Sequence, residues 1–363
     1  MPLPAAPPPP ESSPPPLPPT GRLARYLAMV WAVLTVYGSL YPFAQWRTDS
    51  VEPFAYLNFS WPYYWTGLDI CLNVLVYMPM GFCVTLALRP CFKRQYWPVF
   101  FAALLGGLLS LSMESLQSWL PSRVASNLDL ACNTLGTLIG ALLAAWAGLR
   151  LAPFWQSARA RVIAPLPHVD LGLTLLGLWL LTQLSPEFLL FGVGDLRQAL
   201  DWLPTLNYGP GIYRRAEASV VACNLLAVGL FAGAMTRGRW LAFVLAPLFF
   251  FVAALIRSLG AALLIGPENF LVWLTPGAWQ GLQLGGAALA VGLLLPRLGR
   301  LLLAALALLA GSILVNLAPL NPYSAAAVDL WLQGHFLNFN GLTRWIATLW
   351  PFLALPYLFL ASR

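Results

Sequence analysis

Apolar residues run along this chain in blocks, each closed by a short polar or basic segment. The blocks fall near residues 24–44, 68–87, 96–119, 129–149, 169–190, 217–236, 240–264, 278–295, 300–319 and 342–361. A helix of that length crosses a hydrocarbon core, and it alone satisfies its backbone there without a partner segment. The pattern therefore predicts an all-α, polytopic transmembrane helix bundle of about ten helices. Two blocks depart from the ideal: 169–190 carries Glu187 near its end, and 278–295 is short.

Charge adds a direction. An even number of crossings puts both termini on one side. That side collects Arg22, Arg25, Arg89, Lys93, Arg94, Arg150, Arg159, Arg161, Arg237, Arg239, Arg297, Arg300 and Arg363, with only Glu11 and Asp170 opposing them. Basic residues in short loops stay in the cytoplasm, so both termini are expected to be cytoplasmic. Hydrophobic residues make up 59% of the chain and charged ones 9%, which excludes an ordinary soluble domain. The net charge of +7 reads as a topology signal and an attraction to anionic lipid head groups. No basic stripe interleaves with aromatics, so nucleic acid is not an expected partner.

The expected organisation has four parts. Residues 1–21 form a disordered proline-rich cytoplasmic tail, a spacer or a weak ligand for an SH3-like domain. Residues 22–150 form a four-helix membrane domain, 151–168 a basic cytoplasmic linker, and 169–363 a second membrane domain of about six helices. Cys71, Cys83, Cys91, Cys132 and Cys223 have no metal spacing and read as small apolar side chains, although Cys71 and Cys132 both lie near outer helix ends, where a disulfide could form.

The polar residues inside the apolar blocks carry the candidate chemistry. Glu114 stands out, because an acid at bilayer depth costs about 2.5–3.5 kcal/mol and marks a working site by default. It lies seven residues before Pro121, roughly 10 Å along the axis from the outer exit. Ser110 and Gln117 share its face at steps of four and three. Asp69 and Asn73 stack on the preceding helix, and Asp129 and Asn133 repeat that spacing on the following one, with Gly136 and Gly140 allowing close approach. Arg123 lies in the intervening loop. Three helices thus offer polar faces at one depth, which suits either a ligand site or a hydrogen-bond network that holds the helices together.

These residues resemble a known family. The segments LDICLNVLVYMPMGF (Leu68 to Phe82) and SMESLQSWLPSRVASNLDLACNTLGTLIGALL (Ser112 to Leu143) closely resemble the VanZ-like family of small membrane proteins. Asp69, Asn73, Pro79, Gly81, Glu114, Gln117, Arg123, Asp129, Asn133 and Gly136 fit its pattern, and Tyr41 with Pro42 fits the end of its first helix. Met80 departs from it where a Leu is usual. The resemblance covers roughly residues 24–149. It implies a multi-pass protein of the bacterial cytoplasmic membrane, tied to the cell envelope and, through the family's named member, to lowered sensitivity to the glycopeptide teicoplanin. It implies no reaction.

Residues 169–295 read either as a diverged copy of the first four helices or as chance likeness between apolar helices. In a copy, Arg257 occupies the helix equivalent to that of Glu114. It would then counter an anionic ligand or pair with Glu114, with Arg214, Arg215 and Glu217 at the outer rim; the alternative is that Arg257 snorkels or pairs within its own half. In Gly334 to Trp345, His335, Asn338, Asn340 and Arg344 gather at the outer face, where Asn and Gly serve first as helix caps. The chain has two histidines, His168 and His335, and no HExxH, Gly-x-Ser-x-Gly, Walker or dinucleotide motif. No cofactor or metal is expected.

Three functions follow from these residues. The leading one is an outward-opening polar site for the head group of a lipid-linked envelope precursor, using Asp69, Asn73, Ser110, Glu114, Gln117, Arg123, Asp129 and Asn133, with Tyr41, Arg215 and Arg257 in secondary positions. The second is an intramembrane hydrolase or transferase in which Glu114 is the general acid or base, supported by Asp69 or Asp129. The third is a structural or accessory membrane protein whose acids specify packing.

Overall fold

The computed structural model describes residues 19–48, 51–62, 64–185, 188–197, 210–318 and 337–362. Eleven α-helices lie within them and no strand: α1 (Pro19–Leu40), α2 (Gly67–Leu88), α3 (Tyr96–Gln117), α4 (Asn127–Arg150), α5 (Ala152–Val162), α6 (Val169–Thr182), α7 (Pro210–Ala234), α8 (Arg239–Leu264), α9 (Pro276–Gly292), α10 (Arg297–Leu317) and α11 (Leu337–Ser362). Eight of these are long and apolar enough to cross a membrane, so the chain is an all-α, multi-pass membrane protein. Residues 1–18 of the proline-rich tail, Glu187 and His335 lie outside the described residues, and residues 19–21, expected in the tail, begin α1.

The two blocks that departed from the ideal pattern form short helices. The segment expected to span 169–190 is helical for 14 residues, and α9 for 17. In α6 the helix ends at Thr182, four residues before Pro186. A proline disfavours α conformation in the residue before it and cannot donate to the turn. The linker 151–168 is not featureless either. It contains α5, pinned to the start of α6 by an Arg159–Asp170 ion pair of 2.6 Å, and its end docks on the α7–α8 turn through Ala164 N to Met235 O at 2.8 Å.

The two halves have different interiors. Residues from α6 onward build a large apolar core around Trp179, Phe191, Phe231 and Trp350, all fully buried. Within α1–α4 the apolar cluster is small, Leu40, Met113 and Leu120, and polar side chains fill much of the rest. There α2 and α4 meet almost backbone to backbone. A Cβ on Gly136 would collide with the carbonyl of Val74, one on Gly140 with that of Met78, and one on Gly81 with that of Thr137. Small residues permit this approach, so Asn73 on α2 is brought within bonding range of Asp129 on α4.

Candidate functional site

The site is built where α2, α3 and α4 begin or end at one end of the bundle. Thr66 caps α2: its hydroxyl accepts from Asp69 N at 3.1 Å, while Asp69 Oδ2 accepts from Thr66 N at 3.1 Å and from the Thr66 hydroxyl at 2.7 Å. Ser126 caps α4 without the return bond, its hydroxyl accepting from Asp129 N at 3.3 Å. The Ser126 amide donates to Glu114 Oε2 at 2.9 Å, which ties the buried acid of α3 to the start of α4. Asn73 Nδ2 donates to Asp129 Oδ1 at 2.7 Å, and Asn133 Nδ2 to Ser110 Oγ at 2.9 Å.

The end of α1 closes over this cluster. Gln117 Nε2 donates to Ser39 O at 3.0 Å, and Arg123 Nη2 donates to Gly38 O at 2.9 Å and Tyr41 O at 3.3 Å. Carbonyls at a helix C-terminus lack intrahelical donors, so a guanidinium satisfies them and meets the negative end of the dipole. Burial pulls the Arg123 guanidinium below its ordinary value, and the charge of nearby Glu114 pushes it back up; an arginine stays charged under both influences.

Between these elements lies a cavity of about 540 Å³. Its polar wall is Asn73, Glu114, Gln117, Arg123, Asp129 and Asn133. Trp31, Thr35 and Ser39 of α1 face them, and Leu181 and Leu342 from the second half complete the enclosure. Leu72 and Val76, 44% and 45% exposed, form an apolar flank on α2, and Val124, 86% exposed, stands at the loop mouth. Residues 25–148 match the model of the VanZ/LLP1 family.

The polar side of the cavity thus belongs to the VanZ-like segment, and the match agrees with the span over which the motifs resemble that family. No curated protein and no solved structure matches the chain. Six of the eight leading candidates line the cavity. Ser110 lies fully buried behind Asn133, and Asp69 is an exposed capping residue next to the site. Tyr41 contributes its carbonyl to Arg123 and packs at a tilt against Tyr37, with ring centres 5.3 Å apart.

The secondary candidates of the second half are elsewhere. Arg215 is exposed near the start of α7. Arg257 is buried within its own half, where it donates to the carbonyls of Ser185 and Phe188 and makes no bond to Glu114. Glu217, expected at a rim, is buried and accepts from the Thr275 hydroxyl at 2.7 Å. Asn338 and Asn340 lie inside the first turn of α11. All five cysteines are free thiols, Cys71 and Cys132 included. Among the described residues no group of three His, Cys, Asp or Glu could hold a metal ion.

Sequence reasoning missed the α1 wall and both caps. Thr35 and Ser39, four apart in an otherwise apolar helix, were the available signal for the wall. The spacings Thr66-x-x-Asp69 and Ser126-x-x-Asp129 were the signal for the caps. Leu181 and Leu342 carry no signal, because an apolar residue lining a cavity looks like any other.

Proposed function

We infer that the VanZ-like segment holds the head group of a lipid-linked cell-envelope component, entering from the non-cytoplasmic side of a bacterial cytoplasmic membrane. The observation that carries this reading is the cavity of about 540 Å³, whose wall is polar on one side and apolar and exposed along α2. Sites of this size with a few convergent polar groups suit a small head group. Leu72 and Val76 offer a path for a hydrocarbon chain. The family's link to the envelope supports the same ligand class and a role in glycopeptide sensitivity, and the basic loops of the opposite end support the orientation.

A second reading has its own support. Asn73–Asp129, Asn133–Ser110 and Ser126–Glu114 each join two elements, as expected of a network that specifies packing. Native mass spectrometry of the detergent-purified protein separates the two, comparing wild type with Glu114→Gln. A co-purifying envelope lipid that is lost in a folded mutant supports the head-group site. Equal stability with no retained lipid in either protein overturns it, and loss of folded protein favours packing. An added lipid that Glu114→Gln still binds but only wild type converts favours the reading of Glu114 as a catalytic acid or base.

A further inference from the structure

The polar wall of the cavity is rich in acceptors and poor in available cations. Glu114 and Asp129 both face it, and Asp69 lies within electrostatic reach of Asp129. Against these acids, Arg123 is the single Lys or Arg lining the cavity among the described residues, and its Nη2 is engaged by the Gly38 and Tyr41 carbonyls.

Three neutral side chains on the cavity wall have a buried polar atom in need of a partner. Asn133, Thr35 and Tyr77, all buried, line the cavity, and among the described residues neither Asn133 Oδ1, which can only accept, nor the Thr35 and Tyr77 hydroxyls, which can accept or donate, have a hydrogen-bond partner. The Asn133 amide spends its Nδ2 on Ser110, which leaves its oxygen to the cavity. A buried acceptor without a donor costs about 1–3 kcal/mol, so a ligand that supplies N–H groups there recovers a real deficit. An anionic group entering the same space would meet two acids beside a cation already held by carbonyls. Like-charge juxtaposition of that kind is how sites reject a partner.

We propose that the cavity receives the primary ammonium group of a membrane amphiphile, with Glu114 and Asp129 as counter-charges, Asn133 and Thr35 as further acceptors, and the chains along Leu72 and Val76. This rests on the head-group reading above and names its chemistry. An ammonium has three donors and a compact charge, which matches convergent acceptors. A trimethylammonium has the charge without any N–H, and a glycerol head has hydroxyls without the charge.

The test uses the full-length protein in detergent and three lipids with identical chains: phosphatidylethanolamine, phosphatidylcholine and phosphatidylglycerol. Lipid retention is titrated by native mass spectrometry. The ethanolamine lipid is expected to half-saturate at about a tenfold lower concentration than the other two, equivalent to ~1.4 kcal/mol. That preference is expected to disappear in Asp129→Asn and Glu114→Gln and to shrink in Thr35→Val, which conserves volume. Competition by free ethanolamine distinguishes the sources: displacement marks the ammonium alone as sufficient, and failure to displace marks the whole lipid as the ligand.

Equal retention of the three lipids by wild type overturns the proposal without reference to any mutant. Tightest retention of phosphatidylglycerol, lost in Glu114→Gln, overturns the ammonium assignment and leaves the head-group site standing. Retention of no lipid at any concentration overturns both.

Discussion

Asn73 reaches across from α2 to Asp129 at 2.7 Å, both half-buried on the cavity wall. Asn73→Ala would leave the carboxylate without that donor, and the expected cost is about 1–3 kcal/mol, read as a lower melting temperature in detergent. Asp129→Ala in the same background should cost less than it does alone, because the pair is then removed together; additive losses would deny the coupling. Arg123→Met is expected to loosen the end of α1, with faster amide exchange at residues 38–41 and little change in α4. At this scale the sequence revealed residue types and spacing but not partners. Glu114 was legible as an acid in need of a donor, yet its donor is the Ser126 backbone amide, and every residue but proline carries one. Asp69 looked equivalent to Asp129 by spacing, but its carboxylate is bonded to Thr66, one turn outside the cavity.

Helices α2 and α4 meet almost backbone to backbone at Gly81, Gly136 and Gly140. Gly136→Ala and Gly140→Ala place a methyl against the carbonyls of Val74 and Met78, which are backbone atoms of a packed helix and have nowhere to move. Each should destabilise by about 1–3 kcal/mol or more, seen as loss of monodisperse protein in gel filtration. Gly286→Ala on α9 is the control: a Cβ there meets nothing within 4 Å, and the change should be neutral or stabilise slightly. The positions of Gly136 and Gly140 announced this contact, since two small residues one turn apart carry a steric meaning. Helix lengths were legible where an apolar run ended in charge, as α2 and α4 do. They were less so in α6, where leucines continue beyond Thr182 but the proline at 186 stops the helix early.

At the scale of the molecule, the basic loops gather at one end. Gln95 Nε2 at the start of α3 donates to Ala145 O near the end of α4 at 2.6 Å, and Arg297 Nη2 at the start of α10 to Ala361 O in α11 at 3.0 Å. Cys91 at that end and Ser122 at the other are both exposed. In intact cells, with the remaining cysteines replaced, a membrane-impermeant maleimide should label Ser122→Cys and leave Cys91 untouched until the cells are opened. The reverse pattern would invert the orientation and with it the side from which the cavity fills. Here the alternation of apolar blocks and basic loops was enough to read the architecture, because the bilayer constrains length and charge more tightly than water does. The contents of the two halves were not readable that way, since an apolar helix buried in protein and one facing lipid have the same composition.

Leu181 and Leu342 belong to the second half, yet they enclose the polar wall of the first. The four-helix segment is therefore a trough, and this chain turns it into a cup. On the head-group reading proposed above, the residues that recognise a guest and the walls that limit its size come from different parts of the sequence. Two chains could then share every acid and amide of the trough and still hold different guests, because the side that sets the fit lies beyond residue 148, where the family resemblance ends.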